Sequence, residues 1–412
     1  MDQIFLISIS GDDRPGLMAE LCEALISIEA QILDIGQAII HSELALGMLV
    51  RTHKSLNKDD LASIISKNTE LSAIRLTISF VGNEKYEEWV NESGKKRFIL
   101  TLLSKESDSK MLRATSLLTR SHNLNIDTVR RLTDRNSVNS VNSVESKVCI
   151  EIRLRGLLDS SKEFQSELLE KSEEYGFDFS FQRDTVFRRN RRLVLFDMDS
   201  TLINVEVMDE LAEVFGVGDE VSRVTELAME GQIDFKESFH RRISLLKNMP
   251  EQVLHNIVEN IELNPGATKL VKTLQYFGYK VGIVSGGFQY VGDWLQERLG
   301  IDYVYANSLE FQNGLATGRA LGEVVDAERK ASLLREIVEK EGITLQQSIA
   351  IGDGANDLQM LNLAGLGVAY HAKSSVKASA DHAISNFGLD AILYLVGFSD
   401  RDIEEALAQF AL

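Results

Sequence analysis

The chain has 412 residues, 44% of them hydrophobic and 26% charged. Those proportions suit two to four soluble domains with sizeable cores, and only 3 prolines argue against a long disordered linker. A formal net charge of -18 disfavours nonspecific binding to nucleic acid or anionic membrane, although one local pocket can oppose that field for a small anionic substrate.

The opening, MDQIFLISISGDDR, has an acidic second residue and a short apolar run, unlike a secretory leader. No apolar stretch reaches the ~20 residues that span a bilayer. A reducing, cytoplasmic setting is expected. Ile4–Ser10 alternates like a strand, and beyond GDDRPG the residues Leu17, Leu21, Ala24, Leu25 and Ile28 fall on one helical face. QILDIGQAII and ALGMLVRT read as strands, KDDLASIISKNT as a helix and IRLTISFV as a strand, giving βαββαβ. The pattern then returns. Phe5, Ile7 and Ile9 overlay Phe98, Leu100 and Leu102; Ala24 and Leu25 overlay Leu117 and Leu118; Asp34 overlays Asp127. KVCIEIRLRG, SKEFQSELLEKSEEYG and FDFSFQRD supply the strand, helix and strand that complete the second copy. The low-complexity insert NSVNSVNSVES (Asn136–Ser146) reads as a loop without chemistry. Two cysteines, Cys22 and Cys149, are too few for a disulfide framework and read as small buried apolar residues. The basic run RRNRR (Arg188–Arg192) reads as a solvated linker face, with contact to phosphate or an acidic neighbour as the alternative.

From there the character changes. RLVLFD, YKVGIVSG and SIAIGDG are continuous apolar runs separated by helical patterns, the signature of a parallel sheet buried on both faces. Ligands of such sheets sit at the carboxyl ends of the strands. There the first run delivers Asp197 and Asp199, the second Ser285, Gly286 and Gly287, and the third Asp353, Gly354, Asn356 and Asp357; Lys330 lies between the last two. Asp197, Asp199 and Asp353 would repel one another without a cation, and hard oxygen ligands suit Mg²⁺. Ser285 and the backbone N–H groups after it form a nest for phosphate oxygens, and Lys330 adds a compact charge. This is the equipment of phosphoryl transfer. Asp197 is assigned as the nucleophile and Asp199 as the acid/base, with the Asp199 peptide carbonyl left for the metal.

DMDST, SGG, Lys330 and GDGAND together resemble the motifs of the haloacid dehalogenase superfamily, in order and on matching elements. The resemblance implies a Rossmann-like α/β core at 190–412. The long helical stretch after the first motif looks like a small cap at about 204–262. From about Arg191 to residue 400 the sequence resembles the phosphoserine phosphatase family, whose members hydrolyse O-phospho-L-serine through an aspartyl-phosphate in the last step of serine biosynthesis. By that resemblance Glu206 meets the substrate ammonium, Arg242 the substrate carboxylate, and Met229 and Phe235 line the closed cavity. Ser285, Gly286, Lys330 and Asn356 hold the phosphate, and Asp357 backs the metal ligands. An amino-acid phosphate needs one anion, one cation and a phosphate cradle, and a planar guanidinium suits a carboxylate. Arg241 competes for the carboxylate; without the resemblance, Glu206 and Arg242 would pass as exposed helix charges. His240, beside two arginines, reads as structural.

DDRPGLMAEL resembles the opening of ACT domains, βαββαβ modules that often bind amino acids and pair side by side. The expected α+β (ferredoxin-like) units are 1–86 and 95–184. Asp13, Gly16 and Gln31 are candidate contacts for an amino-acid effector such as L-serine, and a homodimer is expected. In the second copy Ser109 replaces Gly16 and ESDSK replaces DDRPG, so the resemblance there extends to the fold alone. Two other functions fit less of this pattern: a phosphatase or phosphotransferase for another small phosphate, such as phosphohomoserine or a sugar phosphate, and an amino-acid sensor with a vestigial catalytic half.

Overall fold

The computed structural model describes residues 2–53, 56–69, 74–92, 94–106, 109–135 and 147–410, so the Asn136–Ser146 insert lies outside the described residues. The chain divides into two units, Met1–Lys95 and Lys96–Leu412.

The first unit runs β1 (Gln3–Asp12), α1 (Leu17–Ser27), β2 (Gln31–Ile40), β3 (Glu43–Thr52), α2 (Lys58–Asn68), β4 (Ile74–Val81) and α3 (Asn83–Glu92). Its antiparallel sheet has the order β2-β3-β1-β4. Alternation decides which face is covered: Phe5, Ile7 and Ile9 of β1 pack with Leu17, Leu21 and Leu25 of α1 and Leu61 and Ile65 of α2. Gly16 starts α1 in a left-handed conformation (φ 92°) that favours glycine. The helix α3 answers to no element read from the sequence. Cys22 is only half-buried, whereas Cys149 of the second unit is buried as expected.

The second unit begins with the repeated pattern: β5 (Arg97–Ser104), α4 (Ser109–Ser121), β6 (Leu124–Arg131), β7 (Val148–Gly156), α5 (Ser161–Tyr175) and β8 (Asp178–Arg183). The α/β half follows as β9 (Leu193–Phe196), four helices α6 (Val207–Phe215), α7 (Gly218–Met229), α8 (Phe235–Leu245) and α9 (Glu251–Glu259), then α10 (Ala267–Tyr276), β10 (Lys280–Phe288), α11 (Gln289–Leu299), β11 (Tyr303–Gln312), β12 (Leu315–Leu321), α12 (Ala327–Lys340), β13 (Ser348–Gly352), α13 (Leu358–Leu363), β14 (Leu366–Tyr370) and β15 (His382–Ile384). Strands β11, β10, β9, β13, β14 and β15 pair in parallel. All of β9 is buried, which explains its unbroken apolar run.

The two halves of this unit share a single sheet of eleven strands, β12-β11-β10-β9-β13-β14-β15-β8-β5-β7-β6. The joint is antiparallel, with His382 opposite Ser180 and Ala383 opposite Phe179. Asp178 locks it by accepting from the backbone N–H groups of Ser385 (3.0 Å) and Asn386 (2.9 Å). The RRNRR segment crosses this joint, and the expectation of a solvated face is overturned for half of it: Arg188 and Arg191 are only 2% and 3% exposed, while Arg189 and Arg192 face solvent. The reason is a short turn, Val186–Arg189, that folds the linker back over the sheet, where Arg188 pairs with Glu151 at 2.8 Å.

Helices α6–α9 form the cap. Its entry and exit are pinned by a bridge between Ile203 and Leu263. Asn264 Nδ2 adds donations to the carbonyls of Ser200, Thr201 and Ile203. Among the described residues no helix is long and apolar enough to cross a membrane.

Candidate active site

The carboxyl ends of β9 and β13 bring the acidic groups together. Asp197 follows β9; its N–H donates to Ile351 O of β13 (2.8 Å) and its Oδ1 accepts from Met198 N–H (2.7 Å). Asp197, Asp353 and Asp357 each place a carboxylate oxygen within 4.8 Å of the others. Lys330, early in α12 and fully buried, reaches Asp197 Oδ2 (2.8 Å) and Asp357 Oδ1 (2.7 Å). The other Asp357 oxygen accepts from Gly354 N–H (3.0 Å), so both are engaged, and Thr201 Oγ1 donates to Asp353 (3.0 Å).

Close approach is built into the sequence. A Cβ at Gly352 would lie 2.4 Å from Asp357 Cγ, and one at Gly287 2.3 Å from Asp199 Oδ2. Glycine is the residue that lets these carboxyl groups meet backbone.

The electrostatics follow from burial. Burial pushes Asp199 well above the ordinary carboxyl range, and Glu206 and Asp197 push the same way. Asp353 rises to about 6, through burial first and Asp197 second. Asp357 is raised by burial and by Asp197, with Lys330 pulling down. Burial opposes the charge on Lys330, but Asp197 and Asp357 more than reverse it, and the ammonium is held above its usual range. One lysine among three carboxylates leaves negative charge uncompensated, and Asp199 Oδ1 is buried without a partner among the described residues. The donor set is all hard oxygen, which fits a small divalent cation and not a thiophilic one.

Opposite these acids, Ser285 is buried and its Oγ accepts from Gly287 N–H (3.0 Å). The sequence places Ser285 just beyond a strand; β10 continues to Phe288, but its register with β11 breaks between Val284 and Phe288, freeing the intervening backbone. Phe235 of the cap closes over Gly286, where a Cβ would lie 3.0 Å from Phe235 Cζ. Asn356 is half-buried beside Gly354. Glu206 takes the N-cap position of α6, with Ser200 Oγ donating to its Oε1 (2.6 Å). Arg242 is half-buried and its Nε has no partner among the described residues, whereas Arg241 is exposed and paired with Glu237. His240 is exposed. Met229 is not brought into the site; it ends α7 at 67% exposure. Asp13, Gly16 and Gln31 are exposed in the first unit.

Two positioning residues escaped the sequence reading. Buried Asn307 donates to Gly286 O (2.8 Å) and accepts from Val325 N–H (2.8 Å), fixing the nest against the approach to α12. Asn264 anchors the cap base as described. Neither lies in a recognisable motif; Thr201 does, as the last residue of DMDST.

Comparison with known proteins places this geometry. Residues 194–362 match the family model of haloacid dehalogenase-like hydrolases, and residues 3–80 that of the ACT domain. The chain is 37% identical over 402 residues to the phosphoserine phosphatase of Streptomyces coelicolor, covering 97% of this chain and 94% of that protein. It is 33% identical over 407 residues to phosphoserine phosphatase SerB2 of Mycobacterium tuberculosis, covering 97% and 95%. Among solved structures, a probable phosphoserine phosphatase from Vibrio cholerae superposes with a TM-score of 0.58 at 33% identity, over 77% of this chain and 90% of that one. A HAD family hydrolase from Salmonella enterica gives 0.61 at 29% identity, over 73% and 99%.

Proposed function

Since the chain belongs to the phosphoserine phosphatase family of the haloacid dehalogenase-like hydrolases, we propose that it hydrolyses O-phospho-L-serine to L-serine and phosphate. The observation that carries this reading is the convergence of Asp197, Lys330, Asp353 and Ser285 at one sheet edge, with Arg242 and Glu206 on the cap above it.

Asp197 attacks phosphorus through a carboxylate oxygen while the bond from phosphorus to the serine oxygen breaks. Asp199, whose proton affinity burial raises, gives its proton to that oxygen. The resulting Asp199 carboxylate then takes a proton from water, which attacks the phospho-aspartate and frees Asp197. Lys330, Ser285 and the Gly286 N–H hold the phosphate oxygens, with Asn356 beside them. Arg242, with an unspent donor, takes the substrate carboxylate, and Glu206 the ammonium. Phe235, which closes over Gly286, covers the short carbon chain. Mg²⁺ suits the hard donors of Asp197, Asp353 and the Asp199 carbonyl, where it supplies charge for the phosphoryl oxygens. Asp357, already holding Lys330 and Gly354, backs these ligands.

The first unit is proposed to pair with a second copy and to bind an amino acid, L-serine, near Asp13, Gly16 and Gln31. Its edge strand β2 exposes Ile32, Ile35 and Ile39 on one face and Ile40 on the other, apolar surface suited to burial against another copy.

The test is phosphate release from a panel of small phosphate esters with Mg²⁺. Preference for O-phospho-L-serine, lost in Asp197→Asn with an unchanged circular dichroism spectrum, is expected. Preference for phosphohomoserine or a sugar phosphate would replace the substrate; full activity in Asp197→Asn would remove the covalent route.

A further inference from the structure

The two buried arginines of the RRNRR linker flank a cavity of about 260 Å³, wholly within the Lys96–Leu412 unit. It lies at the end of the sheet opposite the catalytic acids. Arg191, Gln346 and Gly365 line it, and they precede β9, β13 and β14, the first two of which carry Asp197 and Asp353 at their far ends.

We propose that this cavity is an anion site, taking a small organic acid with a phosphate or carboxylate head.

The charge on Arg191 is the first argument. Its guanidinium contacts only neutral acceptors, Gln182 Oε1 (2.9 Å), Gly365 O (3.3 Å) and Arg188 O (3.3 Å), and no carboxylate pairs with it among the described residues. Buried charges are ordinarily paired; burial pulls Arg191 down to about 10, Arg188 adds to the fall, and the Tyr279 phenol is the group that opposes it. The Nε atoms of Arg188 and Arg191 are both buried without a partner among the described residues. Glu151 pairs with Arg188 at 2.8 Å and with Arg153 at 3.7 Å, not with Arg191. Arg183 brings a third guanidinium to the rim, against Asp381 as the acidic residue of the lining.

The surroundings extend the match. Ser161 and Gln165, one turn apart on one side of α5, add a hydroxyl and an amide to the lining, the amide donating to Asp381 O (3.1 Å). Burial holds His382, also in the lining, neutral, with its pKa down at about 3. Phe98 and Phe181, stacked at 5.1 Å, form one wall and suit the apolar body of a small acid.

The probes are inorganic phosphate, glycerol phosphate and benzoate, titrated calorimetrically into the full chain with Mg²⁺ chelated. The proposal expects one equivalent of at least one probe with a Kd below about 1 mM. It also expects ~10-fold or greater weakening in Arg191→Gln and in Arg183→Glu, and no change in Lys330→Met. Arg183 is exposed, so its variant keeps the test intact should Arg191→Gln fail to fold. Tighter binding of phosphate-headed probes than of benzoate would assign the head group, and the reverse would assign a carboxylate. No saturable uptake of any probe, uptake untouched in both arginine variants, or uptake lost in Lys330→Met would overturn it. These outcomes are independent of substrate turnover, so failure here leaves the catalytic reading standing.

Discussion

Lys330 Nζ lies 2.8 Å from Asp197 Oδ2, an ion pair closed off from water before any substrate arrives. The ammonium is thus preplaced where negative charge gathers on a transferring phosphoryl group. Replacing it by an apolar chain of similar length, Lys330→Met, is expected to lower kcat by ~10²–10³. It should leave a folded protein, checked by steady-state kinetics beside thermal melting. Near-normal kcat would exclude the lysine from the transition state.

Asp199, raised by burial, is the proton donor for a poor leaving group. Asp199→Asn should therefore cost ~10²–10⁴ in turnover of O-phospho-L-serine, whose alkoxide needs that proton. An aryl phosphate, whose phenolate leaves unaided, should suffer much less in formation of the phospho-enzyme. Single-turnover kinetics on both esters measure the difference, and equal losses would contradict the acid role.

Asp353 sets a pH-dependent stability. Its folded pKa, about 6, is above the ordinary carboxyl value, so the folded state holds this proton more tightly than the unfolded state. The cost is absent below about pH 4, grows as pH rises and is complete above about pH 6. In metal-free protein at pH 8, Asp353→Asn should add roughly 1–2 kcal/mol of stability, a value reduced for partial exposure. At pH 4 it should add almost nothing. The same variant should erase most of the Mg²⁺-induced rise in Tm. Thermal melts at both pH values, with Mg²⁺ and with chelator, decide the matter.

Arg242 has a free donor and Arg241 a partner, so the two neighbours should part company on mutation. Arg242→Ala is expected to lower kcat/KM for O-phospho-L-serine by ~10–100-fold, the worth of a charge-assisted bond, and to spare an aryl phosphate lacking a carboxylate. Arg241→Ala should change little. A uniform loss across both esters would deny Arg242 its selectivity.

Much of this molecule is legible in its residues because local patterns carry their own physics. Alternation in Ile4–Ser10, helical spacing from Leu17 to Ile28 and unbroken apolar runs ahead of Asp197, Ser285 and Asp353 dictate strands, a helix and a parallel sheet with its acids at one edge. The clustered motifs name their chemistry because paired carboxylates without a cation are too costly to keep. What sequence alone could not supply is pairing between distant segments. That Asp178 locks onto Ser385 and Asn386, that Asn307 braces Gly286, that Met229 lies exposed while Phe235 covers the nest, and that Arg188 and Arg191 turn inward all depend on contacts across long separations. Periodicity reports which face of an element is apolar. Only the packed chain decides which other element that face meets, and so whether an arginine ends beside solvent, a carboxylate or a cavity.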